Sequence, residues 1–223
     1  MERILSVILI LHGLLGAIAQ TDMSQQVMVF PKESSDAHVL LIPQEKKPLK
    51  NLTVCLRAYT ELTRAYSLFS YSTKGKDNEL LLFKSKVEEY NLFIGNEKVS
   101  FRALLDFGSP VHVCASWESA SGIAELWING KPLVRKGLKK GYSLGAEPKI
   151  VLGQDQDSFG GSFDMQQSFV GEIGDIGMWD FVLSPHQINS LYRGETLNAN
   201  ILNWKALDYE IKGYVVIKPQ VWS

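Results

Sequence analysis

Val111-His-Val-Cys-Ala-Ser-Trp-Glu-Ser-Ala-Ser-Gly-Ile-Ala-Glu-Leu-Trp-Ile-Asn-Gly130 is the stretch whose reading decides the fold class. It holds two short apolar-rich runs, Val111–Trp117 and Ile123–Ile128, separated by Ser119-Ala-Ser-Gly122 and closed by Asn129-Gly130. Asn-Gly tolerates positive φ at both central turn positions, which makes it the preferred two-residue hairpin connection. Similar runs occur at Val27–Phe30, His38–Ile42, Tyr66–Tyr71, Leu80–Phe83, Tyr90–Ile94, Lys149–Leu152 and Tyr214–Ile217. In Leu52-Thr-Val-Cys-Leu-Arg-Ala-Tyr59, the residues Leu52, Val54, Leu56 and Ala58 share one face of an extended chain, with Thr53, Arg57 and Tyr59 on the other. Many short strands with turns at this spacing predict an all-β fold, a two-sheet antiparallel sandwich.

One segment departs from the pattern. Ser184-Pro-His-Gln187 combines an N-cap Ser, Pro at the first helical position and Gln at the third, a capping box. Ile188, Leu191 and Tyr192 follow at helical spacing and Gly194 can close the C-terminus. A single short α-helix of about ten residues docked on one face of the sandwich is expected.

The chain has 223 residues, 45% hydrophobic and 21% charged, enough for one domain with a real core. A formal net charge of −1 argues against a general polyanion binder or a membrane-surface protein. The start reads as a signal peptide over 1–19: Arg3, an apolar run from Ile4 to Leu15, then Ala17-Ile-Ala19 as the small-x-small cleavage pattern. That run is shorter than the roughly 18–20 apolar residues a bilayer span requires, so no transmembrane segment is expected and 20–223 should be exported as one domain. In an oxidising compartment the default for Cys55 and Cys114, each in a strand-like context, is one disulfide. Asn51-Leu-Thr53 is a glycosylation sequon in such a chain.

The chemistry-bearing stretch is Gly153-Gln-Asp-Gln-Asp-Ser-Phe-Gly-Gly-Ser-Phe-Asp-Met-Gln-Gln167. It offers three carboxylates (Asp155, Asp157, Asp164) and four side-chain amides (Gln154, Gln156, Gln166, Gln167), with no Cys or His nearby. An all-oxygen donor set suits a hard cation, since calcium takes six to eight carboxylate, amide and backbone oxygens. Gly160-Gly161 would let the two arms converge. Phe159 and Gln166 break the helix-loop-helix calcium pattern, and the flanks look like strands. Taken alone, such a loop is more often a solvated hairpin. A second acidic-amide element, Asp77-Asn78-Glu79, precedes the Leu80–Phe83 run, and spacing does not prove that the two meet.

His112-Val-Cys-Ala-Ser-Trp-Glu-Ser119 resembles the pentraxin signature, His-x-Cys-x-Ser/Thr-Trp-x-Ser, at every specified position. The likeness extends through Phe30-Pro-Lys-Glu-Ser34, Lys47-Pro-Leu49, Ala65-Tyr-Ser-Leu-Phe-Ser-Tyr71, Gly153-Gln154, Met178-Trp-Asp180 and Tyr209–Trp222, essentially all of 20–223. It identifies the chain as a member of the short pentraxins and implies a lectin-like jelly roll, a cyclic homopentamer and two calcium ions per subunit. Positions matching the family's ligands are Asp77, Asn78, Asp155, the backbone carbonyl of Gln156, Asp157 and Gln167, with Asp164 adding acidity. The family usually has Glu where Asp155 stands, and Asp is one methylene shorter. Cys55 and Cys114 match the family disulfide, and the Asn51 sequon matches a glycosylation site found within it. Phe83 and Phe93 match the apolar pocket beside the ions. Lys98 stands where phosphocholine-binding members place an acid, and its like charge would disfavour choline, although Phe83 still offers a cation–π face; a register one residue off would put Glu97 there instead and restore the acid.

What the resemblance implies is a secreted, calcium-dependent pattern-recognition protein of innate immunity. Its expected partners are phosphorylated or acidic carbohydrate and phospholipid head groups, and by family likeness amyloid fibrils, chromatin and complement. A phosphocholine-binding opsonin is the alternative within the family, and a structural laminin-G-like module the alternative outside it. Catalysis is not expected. The best glycosidase pair, Glu172 and Asp175, is three residues apart, which alternation puts on opposite faces of a strand. His38, His112 and His186 suggest no Ser-His-Asp arrangement, and His112 reads as structural.

Overall fold

The structure, a computed structural model, describes residues 20–103 and 108–222; the signal-peptide expectation for 1–19 lies outside the described residues. The strands in chain order are β1 Gln26–Phe30, β2 His38–Ile42, β3 Asn51–Tyr59, β4 Tyr66–Thr73, β5 Lys76–Lys86 and β6 Glu89–Ile94. They continue with β7 Glu97–Arg102, β8 Val111–Glu118, β9 Ile123–Ile128, β10 Lys131–Pro132, β11 Lys136–Gly137 and β12 Lys149–Leu152. The last are β13 Gly171–Trp179, β14 Leu202–Asn203, β15 Asp208–Lys212 and β16 Val216–Pro219, and the one α-helix among the described residues is α1, Pro185–Tyr192. One sheet runs β10-β9-β8-β3-β13-β1-β16, with β11 beside β9 and β14 beside β13; the other runs β15-β2-β12-β4-β5-β6-β7. The expected two-sheet sandwich is the fold.

Alternation sets what lies between the sheets. Leu52, Val54, Leu56 and Ala58 of β3 and Val113, Ala115 and Trp117 of β8 join one core with Phe69, Tyr71, Leu80, Leu82, Leu92 and Ile94 of the facing sheet. The Asn129-Gly130 hairpin forms as read, with φ of 50° and 73° between Ile128 and Lys131. Among the strands longer than two residues, β13 enters the sequence reading only as a strand that would carry Glu172 and Asp175, and β7 and β15 escape it. They are the edges of their sheet, mostly half-buried or exposed, so no strict apolar period marks them. The C-terminal strand expected from Tyr214 begins at Val216, because Gly213 turns at φ +66° and Tyr214 projects into solvent.

The outward row of β3 is not solvated either. Cys55 lies directly opposite Cys114 of β8, and the two are disulfide-bonded. With Trp127, Trp179, Leu183, Ile188 and Ala199 they form a second, smaller cluster on the outer face, closed over by α1. The helix starts as predicted: the Ser184 hydroxyl accepts from the Gln187 N–H, and Gln187 Oε1 accepts from the Ser184 N–H. Ile188 is its buried anchor, whereas Tyr192 stays exposed and stands near Arg57, whose guanidinium donates to the Leu191 and Tyr192 carbonyls.

One expectation is corrected. Ile173 and Ile176 of β13 both face the core, so the two residues between them face outward. This is a β-bulge: pairing with β3 slips between Gly174 and Gly177, and Asp175 takes φ +51°. Glu172 and Asp175 therefore share the outer face, against simple alternation. Asp175 is held there by the Arg57 guanidinium at 3.1 Å.

The disulfide closes a loop of 59 residues, which in the chain-entropy treatment stabilises the fold by about 4 kcal/mol. The Cys55→Ala/Cys114→Ala protein should lose stability of that order in a denaturant titration. Non-reducing peptide mapping should recover the two cysteines as one linked pair; free thiols at both positions would contradict the bond.

Candidate metal centre

The Gly153–Gln167 segment leaves the end of β12 and folds over the outer face of β4. Gly153 takes φ +84°, and a Cβ there would come within 2.3 Å of the Phe30 ring, so the exit requires glycine. The base of the loop is closed by the Phe169 N–H donating to the Gly153 carbonyl at 2.9 Å. Its tip is a tight hairpin, with Ser158 and Gly161 exchanging two backbone bonds of 3.2 Å. The far arm ends in a single 3-10 turn, Met165–Gln167, capped by the Asp164 carboxyl accepting from the Gln166 N–H at 2.9 Å. Arg64 donates to the Gln166 and Ser168 carbonyls and ties that arm to the sheet.

The side-chain amides of two glutamines counted among the oxygen donors are already engaged within the protein. Gln156 is fully buried; its amide nitrogen donates to the Ser70 and Lys149 carbonyls, and its Oε1 accepts from the Ser72 hydroxyl and the Gly160 N–H. The Gln154 amide donates to the Ser34 and Ala37 carbonyls. These bonds place Asp155 and Asp157 on either side of a locked residue.

The two oxygen-rich segments converge. Asp77 and Asn78 sit half-buried at the start of β5, next to β4. Burial is the main force pushing the Asp155 carboxyl up to about 7, and the charges of Asp157 and Asp77 add to it. Asp157 is shifted upward too, by desolvation and then by Asp77 and Asp164. Carboxyls from β5, from the near arm and from the far arm thus act on one another in a single field. Four buried oxygens in this region, Asn78 Oδ1, Gln154 Oε1, Asp155 Oδ1 and Gln167 Oε1, have no hydrogen-bond partner. Buried carbonyl and carboxylate oxygens without donors, among mutually repelling carboxylates, are the donor set of a hard cation. The residues present fit calcium.

Beside this centre, the outer face of the second sheet presents Ser70, Leu81, Phe93 and Lys98 in one register row across β4, β5, β6 and β7. Strands are spaced about 4.8 Å apart, so Phe93 stands about 10 Å from the strand on which the loop rests. Phe83 lies one row along, opposite Asn91. The Lys98 ammonium lies 5.7 Å from the centre of the Phe93 ring. Its neighbour Glu97 has the opposite parity, pairs with the inward-facing Ile94, and is ion-paired to Lys139 at 2.7 Å. Asn51 opens β3, half-buried, at the far edge of the other sheet's strand register opposite Glu118.

A family model, the Pentaxin family, matches residues 26–219. The chain belongs to the pentraxins. It is 60% identical over 224 residues to the serum amyloid P-component of Bos taurus and 60% identical over 222 residues to that of Homo sapiens, with 100% of each chain covered. Among solved structures it resembles the native heptameric SAP-like pentraxin from Limulus polyphemus, with TM-score 0.80 and 23% identity over 90% of this chain and 98% of that one. That likeness carries the fold.

In this pentraxin the sequence reading missed Glu79 as framework. It was counted with Asp77 and Asn78, but both its oxygens are bonded within the protein, to the Tyr142 hydroxyl and the Gly145 N–H. Its place in a strand, alternating with Asn78, was the available signal. A tight Cys/His grouping also exists, Cys55, His112 and Cys114, with ligand atoms within 4.8 Å of one another. The disulfide consumes both sulfurs, and burial next to Arg57 pushes the His112 ring down to about 3, so it is neutral and structural.

The raised Asp155 value has a sign that can be checked. In the metal-free protein its proton is bound more tightly in the folded state than in the unfolded one. Its contribution to stability is therefore full below pH 4 and lost as pH rises towards about 7. His38 and His112, both lowered, act in the opposite sense below pH 6.5. The difference between wild type and Asp155→Asn isolates the carboxyl: in chelator, Asp155→Asn should gain relative thermal stability between pH 5 and pH 8. A pH-independent difference would contradict the crowding of these acids.

Proposed function

We propose that this pentraxin is a secreted recognition protein that uses bound calcium to hold anionic head groups, phosphorylated or acidic carbohydrate and phospholipid among them. The observation that carries the reading is a group of unpartnered buried oxygens, Asn78 Oδ1, Asp155 Oδ1 and Gln167 Oε1 among them, together with the charges of Asp77, Asp157 and Asp164 acting on one another. In the proposal Asp77, Asn78, Asp155, Asp157, Gln167 and the Gln156 carbonyl hold two calcium ions and Asp164 adds negative potential. Bound calcium supplies open coordination positions for a phosphate, sulfate or carboxylate. Asp155, one methylene short of the usual Glu, holds its share of the second ion less firmly. This chain's own residues do the rest: Gln154 and Gln156 fix the loop, while Phe83, Phe93 and Lys98 line the face against which the head group lies.

Lys98 supports a preference for phosphoethanolamine-like and acidic sugar ligands over phosphocholine, because it sets a positive charge beside Phe93 where a quaternary ammonium would seek an acid. The serum amyloid P-component likeness favours the same branch over a C-reactive protein-like, phosphocholine-binding one. Closed-ring assembly of five copies would present such sites in parallel, so that weak single-site binding becomes strong on arrayed ligands; amyloid fibrils, chromatin and complement-bearing surfaces are arrays of that kind.

Two measurements test this. Calcium should protect the Gly153–Gln167 segment from limited proteolysis, since removing the ion leaves repelling carboxylates without a counter-charge; equal cleavage with calcium and with chelator refutes the site. At fixed calcium, phosphoethanolamine should outcompete phosphocholine, and Lys98→Glu should shift the ratio several-fold towards phosphocholine. A clear preference of the unmutated protein for phosphocholine would move it to the other branch.

A further inference from the structure

We propose that Glu79 and Tyr142 are positioning residues for the metal centre, holding its two halves in register without touching the ion; the proposal rests on the calcium reading above. Glu79 follows Asn78 in β5 and is 1% exposed. A carboxyl at such depth is costly unless its oxygens are bonded. Here Oε1 accepts from the Gly145 N–H at 2.6 Å and Oε2 from the Tyr142 hydroxyl at 2.8 Å. The Tyr142 oxygen accepts in turn from the Lys76 ammonium, one residue before Asp77.

The segment that Glu79 grips leads into the other half of the centre. Residues 142–145 precede β12, and β12 runs directly into Gly153 and Asp155. The segment is anchored from below as well: the Tyr71 hydroxyl donates to the Gly145 carbonyl at 2.8 Å, and Leu144 exchanges two backbone bonds with Leu49. On the other side of Glu79, the turn after β6 clamps the strand. The Gly95 N–H donates to the Glu79 carbonyl and the Asn96 N–H to the Asn78 carbonyl, each at 2.9 Å. Gly95 has φ +55°, and a Cβ there would come within 2.8 Å of the Tyr142 ring, so turn, tyrosine and carboxyl form one packed unit.

The physical need for such a unit is repulsion. Asp77 lies on the strand that carries Glu79, and Asp155 and Asp157 lie on the segment that follows the one Glu79 grips, so the two segments bring like charges together. Calcium–oxygen distances span only about 2.3–2.6 Å, so a spread of a few tenths of an ångström is felt as lost affinity. Groups that orient metal ligands from behind typically contribute 10- to 100-fold to metal affinity.

Calcium affinity by calorimetry and the unfolding temperature in chelator are measured on the full protein, for wild type, Tyr142→Phe, Glu79→Gln and Glu79→Ala. Tyr142→Phe keeps the ring against Gly95 and removes only the hydroxyl, so it guards against failure of the Glu79 variants to fold. The expected result is about tenfold weaker calcium binding in Tyr142→Phe with its chelator unfolding temperature held within a few degrees. Glu79→Ala should lose more, and Glu79→Gln should recover part, because an amide oxygen still accepts from Gly145. Unchanged calcium affinity in Tyr142→Phe, or a lowered chelator unfolding temperature with unchanged affinity, overturns the positioning role. Absence of calcium binding by the unmutated protein overturns the calcium reading itself.

Discussion

Four carboxyls brought to one end of a β-sheet, with one of them buried, are the constraint around which the rest of the second sheet is organised. Asp77 arrives on β5, Asp155 and Asp157 on the near arm of the loop, Asp164 on the far arm. Burial deprives Asp155 of water and its neighbours repel its charge, so folding alone leaves this corner unfavourable. Such a concentration persists only where the surroundings over-determine it, and here they do. Gln156 is bonded at both ends of its amide, Arg64 grips the far arm, and Glu79 grips the segment that feeds the near one. Rigid neighbours hold apart groups that would otherwise relax, which is the preorganisation a cation requires.

The two faces of the sandwich divide the labour. Between the sheets, aliphatic and aromatic side chains interdigitate and give a body whose strand spacing is fixed. Outside the first sheet, the disulfide, Trp127, Trp179 and α1 make a second apolar layer that stiffens the centre of that sheet. Outside the second sheet, the layer is polar and buried: Ser70 and Ser72 of β4 bond the Gln156 side chain of the loop, and Gln154 is buried beside it. Serines leave room for the loop backbone to approach, and the glutamine amides donate to the Ser34, Ala37, Ser70 and Lys149 carbonyls. The polar layer is a mounting for the oxygen donors.

The face proposed to meet the head group lies one step further along. Phe93 and Lys98 are cross-strand partners, so their contact follows from register and not from loop conformation. A single slip of β7 would replace Lys98 with Glu97 and reverse the charge presented beside the aromatic ring. Register here is held by Ile94 and Phe101 packing inward on alternate positions.

Much of the fold was legible in the amino-acid sequence because its signals are local. Alternation in Leu52–Ala58, the Asn129-Gly130 turn and the Ser184 capping box each report a conformation set within a few residues, and each is found where it was read. Edge strands β7 and β15 were silent, since an edge need not bury alternate side chains. The bulge at Asp175 was silent too, because one added residue changes the parity of a strand without changing its composition. At the centre, the inventory of oxygen donors was readable, but not their division of roles. Gln154, Gln156 and Glu79 carry the same functional groups as Gln167 and Asp155; only the bonds of their side chains to Ser34, Ala37, Ser70, Ser72, Gly145 and Tyr142 tell them apart. The sequence by itself determined the sandwich, the cysteine pair and the stock of hard donors. Which donors converge, which are already satisfied and which charge lies beside Phe93 depend on contacts between residues tens of positions apart, and those exist only once the two sheets have closed.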